Sequence, residues 1–164
     1  MMTGMYGSSK AEDLQTATAL VKLKPDCVRI YPVLVLKETA LAKLYLQGEY
    51  QPQTLETAVQ TAKDVLQLFR QAQIPVIRMG LHAGEDLREE GAVLAGPFHP
   101  AFGELVESRL WRDRMEEELK QYPEMPKVWE LSVPKGEVSK AIGHQRCNAK
   151  YFLKEYGIQL KIKD

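Results

Sequence analysis

The chain has 164 residues, 45% of them apolar, with equal numbers of acidic and basic side chains and a formal net charge of zero. That length supports one ordinary core, or a medium unit with a small appendage. No apolar run approaches the roughly 18 residues of a membrane span, and the first residues lack the basic and apolar segments of a signal peptide. A cytoplasmic globular protein with no membrane partner is therefore expected.

The neutral total hides an asymmetry. Residues 134–164 hold seven Lys or Arg against three acids, and the rest of the chain carries the opposite surplus. Such a skew permits a polyanion as partner for the tail. Cys27 and Cys147 lie far apart without a Cys-x-x-Cys pair, so they read as free thiols rather than as a zinc site or a disulfide framework.

In chain order, turns at Gly4 and Gly7 precede Ser8 or Ser9 as an N-cap, with Glu12 and Asp13 in the first turn of a helix that Lys24-Pro25 stops. "CVRIYPVLVL" is apolar and β-branched, which fits a short strand buried on both faces of a parallel sheet, with Pro32 marking its end or a bulge. "TALAKLYLQG" reads as a short helix ended by Gly48. "TLETAVQTAKDVLQLFRQAQ" is the clearest helix, capped by Thr54, with Leu55, Val59, Ala62, Val65, Leu66 and Phe69 on one stripe. "PVIRMGL" follows as a second buried strand. Strand, helix, strand at this spacing predicts right-handed β-α-β units.

Gly80 and Gly84 then open the long loop "HAGEDLREEGAVLAGPFHP", read as one functional or flexible crossing. His82 and His99 in it are a weak metal pair for want of a third ligand. "AFGELVESRLWRDRMEEELKQ" is a second strong helix, with Pro100 near its start and no ordinary capping residue. Its Glu104, Glu107 and Ser108 lie at helical spacing and read as a solvated face. Pro123 and Pro126 mark a linker, so residues 1–122 and 127–164 are the expected domains. The tail then runs strand "KVWELSV", helix "GEVSKAI", a glycine loop, helix "RCNAKYFLKEYG" and strand "IQLKIK", a β-α-α-β unit too small to bury a large core alone.

The run "AIGHQRCNAKYFLKEYGIQLKI" resembles a KH domain, in which a Gly-x-x-Gly loop joins two helices and lets a nucleic-acid backbone approach. Here the loop is Gly143-His144-Gln145-Arg146, with Arg146 in place of the second glycine. The resemblance implies RNA contact through Gly143, His144, Gln145, Arg146 and Lys150. A KH-like fold kept only for docking is the alternative.

"RIYPVLVLKETALAKLYLQGEYQPQTLETAV", "IPVIRMGL" and "VLAGPFHPAFGELVESR" resemble the later barrel strands and C-terminal extension of bacterial radical S-adenosylmethionine (SAM) proteins related to the catalytic subunit of Elongator. The most specific stretch is Gly96-Pro97-Phe98-His99-Pro100-Ala101-Phe102-Gly103-Glu104-Leu105-Val106. The resemblance implies an α/β fold: a partial (β/α) barrel with parallel strands plus the small KH-like unit. It implies a parent enzyme acting on tRNA or another RNA, with SAM and a [4Fe-4S] cluster held by three cysteines. Two cysteines cannot supply three thiolates, so no cofactor and no catalysis are expected of this chain alone. It is expected to be the C-terminal portion of a larger enzyme, completed by the missing N-terminal barrel half or by a partner chain. Self-association through exposed strand edges is expected too. Gly4 and Gly7, in the place of the family's glycine turn, and Arg78, on the last barrel-like strand, are the cofactor-binding candidates. The alternative function is a non-catalytic RNA-binding or protein-interaction module.

Overall fold

The computed structural model describes residues 1–81 and 91–164. His82 and Gly84 lie outside the described residues. The chain forms two compact units, Met1–Gly103 and Glu104–Asp164.

The first unit carries a three-stranded parallel sheet in the order β1 (Met2–Thr3), β2 (Val28–Pro32), β4 (Val76–Met79). The helix α1 (Lys10–Lys22) starts in a capping box, Ser9 accepting from the Glu12 amide while Glu12 accepts from the Ser9 amide. The helix α3 (Leu55–Gln71) is capped by Thr54 as expected. Its apolar stripe, including Ala62, Val65, Leu66 and Phe69, is buried against α1 and the sheet.

In "CVRIYPVLVL" the strand ends at Pro32 as expected, but it is not buried on both faces. β2 alternates: Val28, Ile30 and Pro32 are buried, Arg29 is exposed and Tyr31 half-buried. In β4, Ile77 and Arg78 are likewise exposed. Helices cover one face of this sheet among the described residues, so every second residue of β2 stays open. After Pro32 the chain leaves the sheet, and β3 (Val35–Leu36) pairs antiparallel with β5 (Val93–Ala95). The stretch around residue 94, expected to be loop, thus holds a short strand. This ribbon and α2 (Ala40–Leu46) pack Val33, Val35, Ala42 and Tyr50 into a small core of their own.

One buried carboxylate organises the turn after β1. Asp13, only 3% exposed, accepts the Gly4 amide (2.9 Å) and the Ser8 hydroxyl (3.1 Å), while Tyr50 donates its hydroxyl to the Gly4 carbonyl (2.6 Å). Burial, with the Asp13 charge added, pushes the Tyr50 phenol above its usual range.

The second unit takes nearly all of α4 (Phe102–Leu119), together with β6 (Val128–Ser132), α5 (Val138–Ile142), a 3₁₀ turn at His144–Arg146, α6 (Cys147–Tyr156) and β7 (Gln159–Lys163). The division therefore falls at the start of α4 and not at Pro123 and Pro126. The reason is packing, since Met115 and Leu119 of α4 lie in one core with Trp129, Leu131, Phe152 and Leu160. β6 and β7 run parallel in register from Val128↔Gln159 to Ser132↔Lys163.

A polar seam joins α4 to the tail. Glu104, Ser108, Arg112 and Glu116, four residues apart, share one face of α4. Glu104 meets His144 Nδ1 (3.1 Å), and Ser108 Oγ accepts the His144 amide (3.1 Å). Arg112 donates to Asn148 Oδ1 (3.0 Å) with its guanidinium 4.3 Å from the Tyr151 ring centre, and Glu116 accepts from Tyr151 and Tyr156. That hydrogen bond to Glu116, with burial second, pushes the Tyr151 phenol far above its usual range. At the centre Asn148 is fully buried and satisfied: its Nδ2 donates to the carbonyls of Ser108 (2.8 Å) and Ala141 (3.0 Å). The reading of Glu104 and Ser108 as a solvated face fails at Ser108, which is 2% exposed.

Two outcomes follow. Asn148→Ala strands two carbonyls and a guanidinium, and should lower the stability of the C-terminal unit by about 3 kcal/mol; Trp111 and Trp129 both lie in that unit, so urea unfolding followed by tryptophan fluorescence reads it. Asp13→Ala should accelerate exchange of the Gly4 amide with solvent by about tenfold or more, and protection as in the wild type would contradict the assigned lock.

Candidate nucleic-acid interface

The loop between α5 and α6 is set by backbone geometry. Gly143 adopts φ 85°, ψ 156°, a region essentially closed to other residues, and a Cβ there would stand 2.5 Å from Cys147 Sγ. Gln145 (φ 51°) and Arg146 (φ 62°) are both left-handed without being glycine. Two such residues in succession store strain, roughly 1–2 kcal/mol each, held by the Arg146 amide donating to the Gly143 carbonyl (2.8 Å) and by the His144 contacts to α4. Arg146 thus adopts the conformation that glycine would take freely.

Beside this loop lies a groove of about 520 Å³ between α6 and β7. Ile142, Ala149, Leu153, Leu160 and Ile162 give it an apolar lining, with Leu153 58% exposed. Arg146, Lys150 and Lys161 supply positive charge. Lys161 is 3.6 Å from Glu130, whereas Arg146 and Lys150 are exposed and meet no carboxylate among the described residues. β7 pairs only with β6 among the described residues, so its other edge is open. Arg146 is the N-cap of α6 and makes no side-chain cap; its amide donates to the Gly143 carbonyl and the Cys147 amide to the His144 carbonyl. An apolar lining with two cations that meet no carboxylate among the described residues fits a phosphate-linked chain of bases.

The five residues expected to contact RNA therefore divide. Gly143 shapes the loop, Gln145 stands exposed at its tip, and Arg146 and Lys150 line the groove. His144 is turned to Glu104 and Ser108 of α4. Sequence reading missed Ser108, Arg112 and Asn148, which hold the loop in place. Their signal was the four-residue repeat of polar side chains along α4 opposite a second polar stripe on α6.

The three cofactor candidates lie in the first unit. Gly4 is buried, its amide and carbonyl both engaged by Asp13 and Tyr50, and a Cβ there would stand 2.7 Å from Gln53. Gly7 is exposed with φ 73° and open space around it. Arg78 is exposed on β4 beside Arg29 of β2. His99 accepts the Ala101 amide on Nδ1 (3.0 Å) and the Phe102 amide on its carbonyl (3.1 Å), which supplies the missing cap at the start of α4. The two thiols fall short of the three that an iron-sulfur cluster of this type takes; Cys27 is exposed, and Cys147 packs beside Gly143. Among the described residues no group of three or more His, Cys, Asp or Glu is placed to hold a metal ion, and no helix is long and apolar enough to cross a membrane.

Known proteins resemble parts of this chain. A tRNA uridine(34) acetyltransferase of Methanocaldococcus jannaschii is 36% identical over 63 residues, 37% of this chain and 12% of that protein. An uncharacterized protein of the same organism is 40% identical over 50 residues, covering 30% of this chain and 16% of the relative. The solved structure of Methanocaldococcus infernus Elp3 with an N-terminal deletion superposes with a TM-score of 0.52 at 26% identity, covering 71% of this chain and 26% of that one. The chain thus spans about a quarter or less of the length of these relatives. Residues 25–112 match the Radical_SAM C-terminal domain family, and that match takes in more than half of the sequence. By that match and by its likeness to Elp3, the chain belongs to the C-terminal domain family of Elongator-like radical SAM proteins.

Proposed function

We propose that this chain is the RNA-facing C-terminal portion of a radical SAM protein that modifies tRNA, and that its second unit, KH-like in its β-α-α-β order, holds the RNA backbone in the groove beside Gly143–Arg146. The observation that carries this reading is the placement of two unpaired cations, Arg146 and Lys150, on an apolar groove, with Arg146 in a strained conformation. Strain kept at a surface residue points to a use for its side chain. The name of the acetyltransferase relative adds tRNA as the RNA class.

The first unit, in this reading, is the later part of a (β/α) barrel whose remaining strands come from elsewhere in the parent protein. β1 and β4 each pair on one side only among the described residues, which supports a partner or a second copy at those edges. SAM and a [4Fe-4S] cluster, which supply radical chemistry in the parent family, would be ligated outside this chain, whose two cysteines fall short of three thiolates. The Gly4–Gly7 turn follows the carboxyl end of β1, the end of parallel strands where ligands collect in α/β folds. With the polar groups of Gly4 engaged, Gly7 and Arg78 are the residues left to face a cofactor.

Filter binding of a short single-stranded RNA at two salt concentrations tests the groove. Wild-type affinity should fall steeply with salt, and Arg146→Gly or Lys150→Gln should each weaken binding and reduce the salt slope by about one. Arg146→Gly should leave the fold at least as stable, since glycine takes the left-handed conformation without strain. Unchanged RNA affinity in both variants would refute the groove as the contact surface.

A further inference from the structure

The parallel pairing of β2 with β4 contains a bulge. Val28 pairs with Val76, yet the next residue, Arg29, pairs with Arg78, and Ile30 with Met79, so Ile77 is the extra residue. Continued in plain register, Arg29 would oppose Ile77 and Arg78 would oppose Ile30, which is fully buried. A one-residue shift exchanges the faces of a strand, and bulges re-aim side chains near functional sites. Here the shift lifts Arg78 off the buried face and sets it beside Arg29, on strands about 4.8 Å apart.

Both arginines are exposed, and neither guanidinium has a hydrogen bond or ion pair among the described residues. Like charges directly opposed across strands repel, so the pair is unfavourable unless something negative sits between them. Tyr31, two residues beyond Arg29, is half-buried on the same face and pairs with the exposed Met2 of β1. The open face therefore offers two guanidinium forks and, within one strand repeat, a phenol donor.

We propose that Arg29 and Arg78 form a phosphate-binding pair on the open face of the β1-β2-β4 sheet, assembled by the bulge at Ile77. A phosphate group has oxygens enough to accept from both forks at once and carries up to two negative charges, whereas one carboxylate is satisfied by a single fork. The site belongs to the first unit, and it gives Arg78, so far a cofactor candidate, a partner in Arg29. Free phosphate, a nucleotide and an RNA backbone share the required chemistry.

Isothermal titration of the whole chain with inorganic phosphate and pyrophosphate, at ionic strength matched with chloride, tests it. Pyrophosphate should bind at least tenfold more tightly than acetate, and Arg29→Gln and Arg78→Gln should each weaken it at least tenfold, with Arg78→Lys intermediate. Without ligand, either glutamine variant should melt at the same or a higher temperature than wild type, because a repulsion is removed; a lower melting temperature would mark the arginines as structural and overturn the proposal. Lys22→Gln, at an exposed cation at the end of α1, should leave pyrophosphate binding unchanged. Uridine monophosphate and a short RNA, titrated into wild type and Arg29→Gln, then distinguish the sources by which of them loses affinity. Equal binding of acetate and pyrophosphate, or binding of pyrophosphate that survives both glutamine variants, would overturn the pair as a phosphate site.

Discussion

The C-terminal unit depends on a buried amide that has no freedom to be anything else. Asn148 donates to two carbonyls, one on α4 and one on α5, and accepts from Arg112, so three helices are referred to one side chain. A buried network of this kind rigidifies only when every member is satisfied, and around Asn148 that condition is met. The neighbouring members extend it along α4, from Glu104 at one end to Glu116 at the other. Because His144 is tied to that seam by ring and backbone, the three residues after Gly143 must turn tightly to reach α6. The left-handed Gln145 and Arg146 are the consequence, and Arg146 is delivered to the groove rather than to solvent at large.

The first unit solves a different problem. Its sheet is buried on one face by α1 and α3, and the turn after β1 is closed by the Asp13 carboxylate and the Tyr50 hydroxyl. The opposite face keeps Arg29, Tyr31, Ile77 and Arg78 available. The chain belongs to the Radical_SAM C-terminal domain family, and an Elp3 structure superposes on 71% of it. The proposed phosphate pair belongs to the first unit and the proposed RNA groove to the second.

Much of the fold was legible where local rules act alone. Ser9 with Glu12, and Thr54 with the Val59–Phe69 stripe, announced α1 and α3 through caps and period. The β-α-α-β order of the tail was readable from the switch between strand and helix patterns. What stayed hidden depends on partners distant in sequence. The strand Val93–Ala95 is three residues long inside a glycine-rich stretch, too short to show alternation, and exists because Val35–Leu36 pairs with it. The bulge at Ile77 is a matter of register, which no single strand encodes. The polar repeat Glu104, Ser108, Arg112, Glu116 looks like a solvated face until a second polar stripe is laid against it. His99 was weighed as a metal ligand, while its Nδ1 serves as the cap of α4, a role usually taken by shorter side chains.

In the proposed reading, the seam on α4 presents Arg146, Lys150 and the groove of α6 and β7 as a surface for RNA. Mapping amide chemical-shift changes on the isotopically labelled chain as a short single-stranded RNA is added tests that claim most directly. Changes concentrated at Gly143–Arg146, Lys150, Leu153 and Lys161–Ile162 are predicted. Saturable changes confined to other residues, or none at saturating RNA, would contradict it.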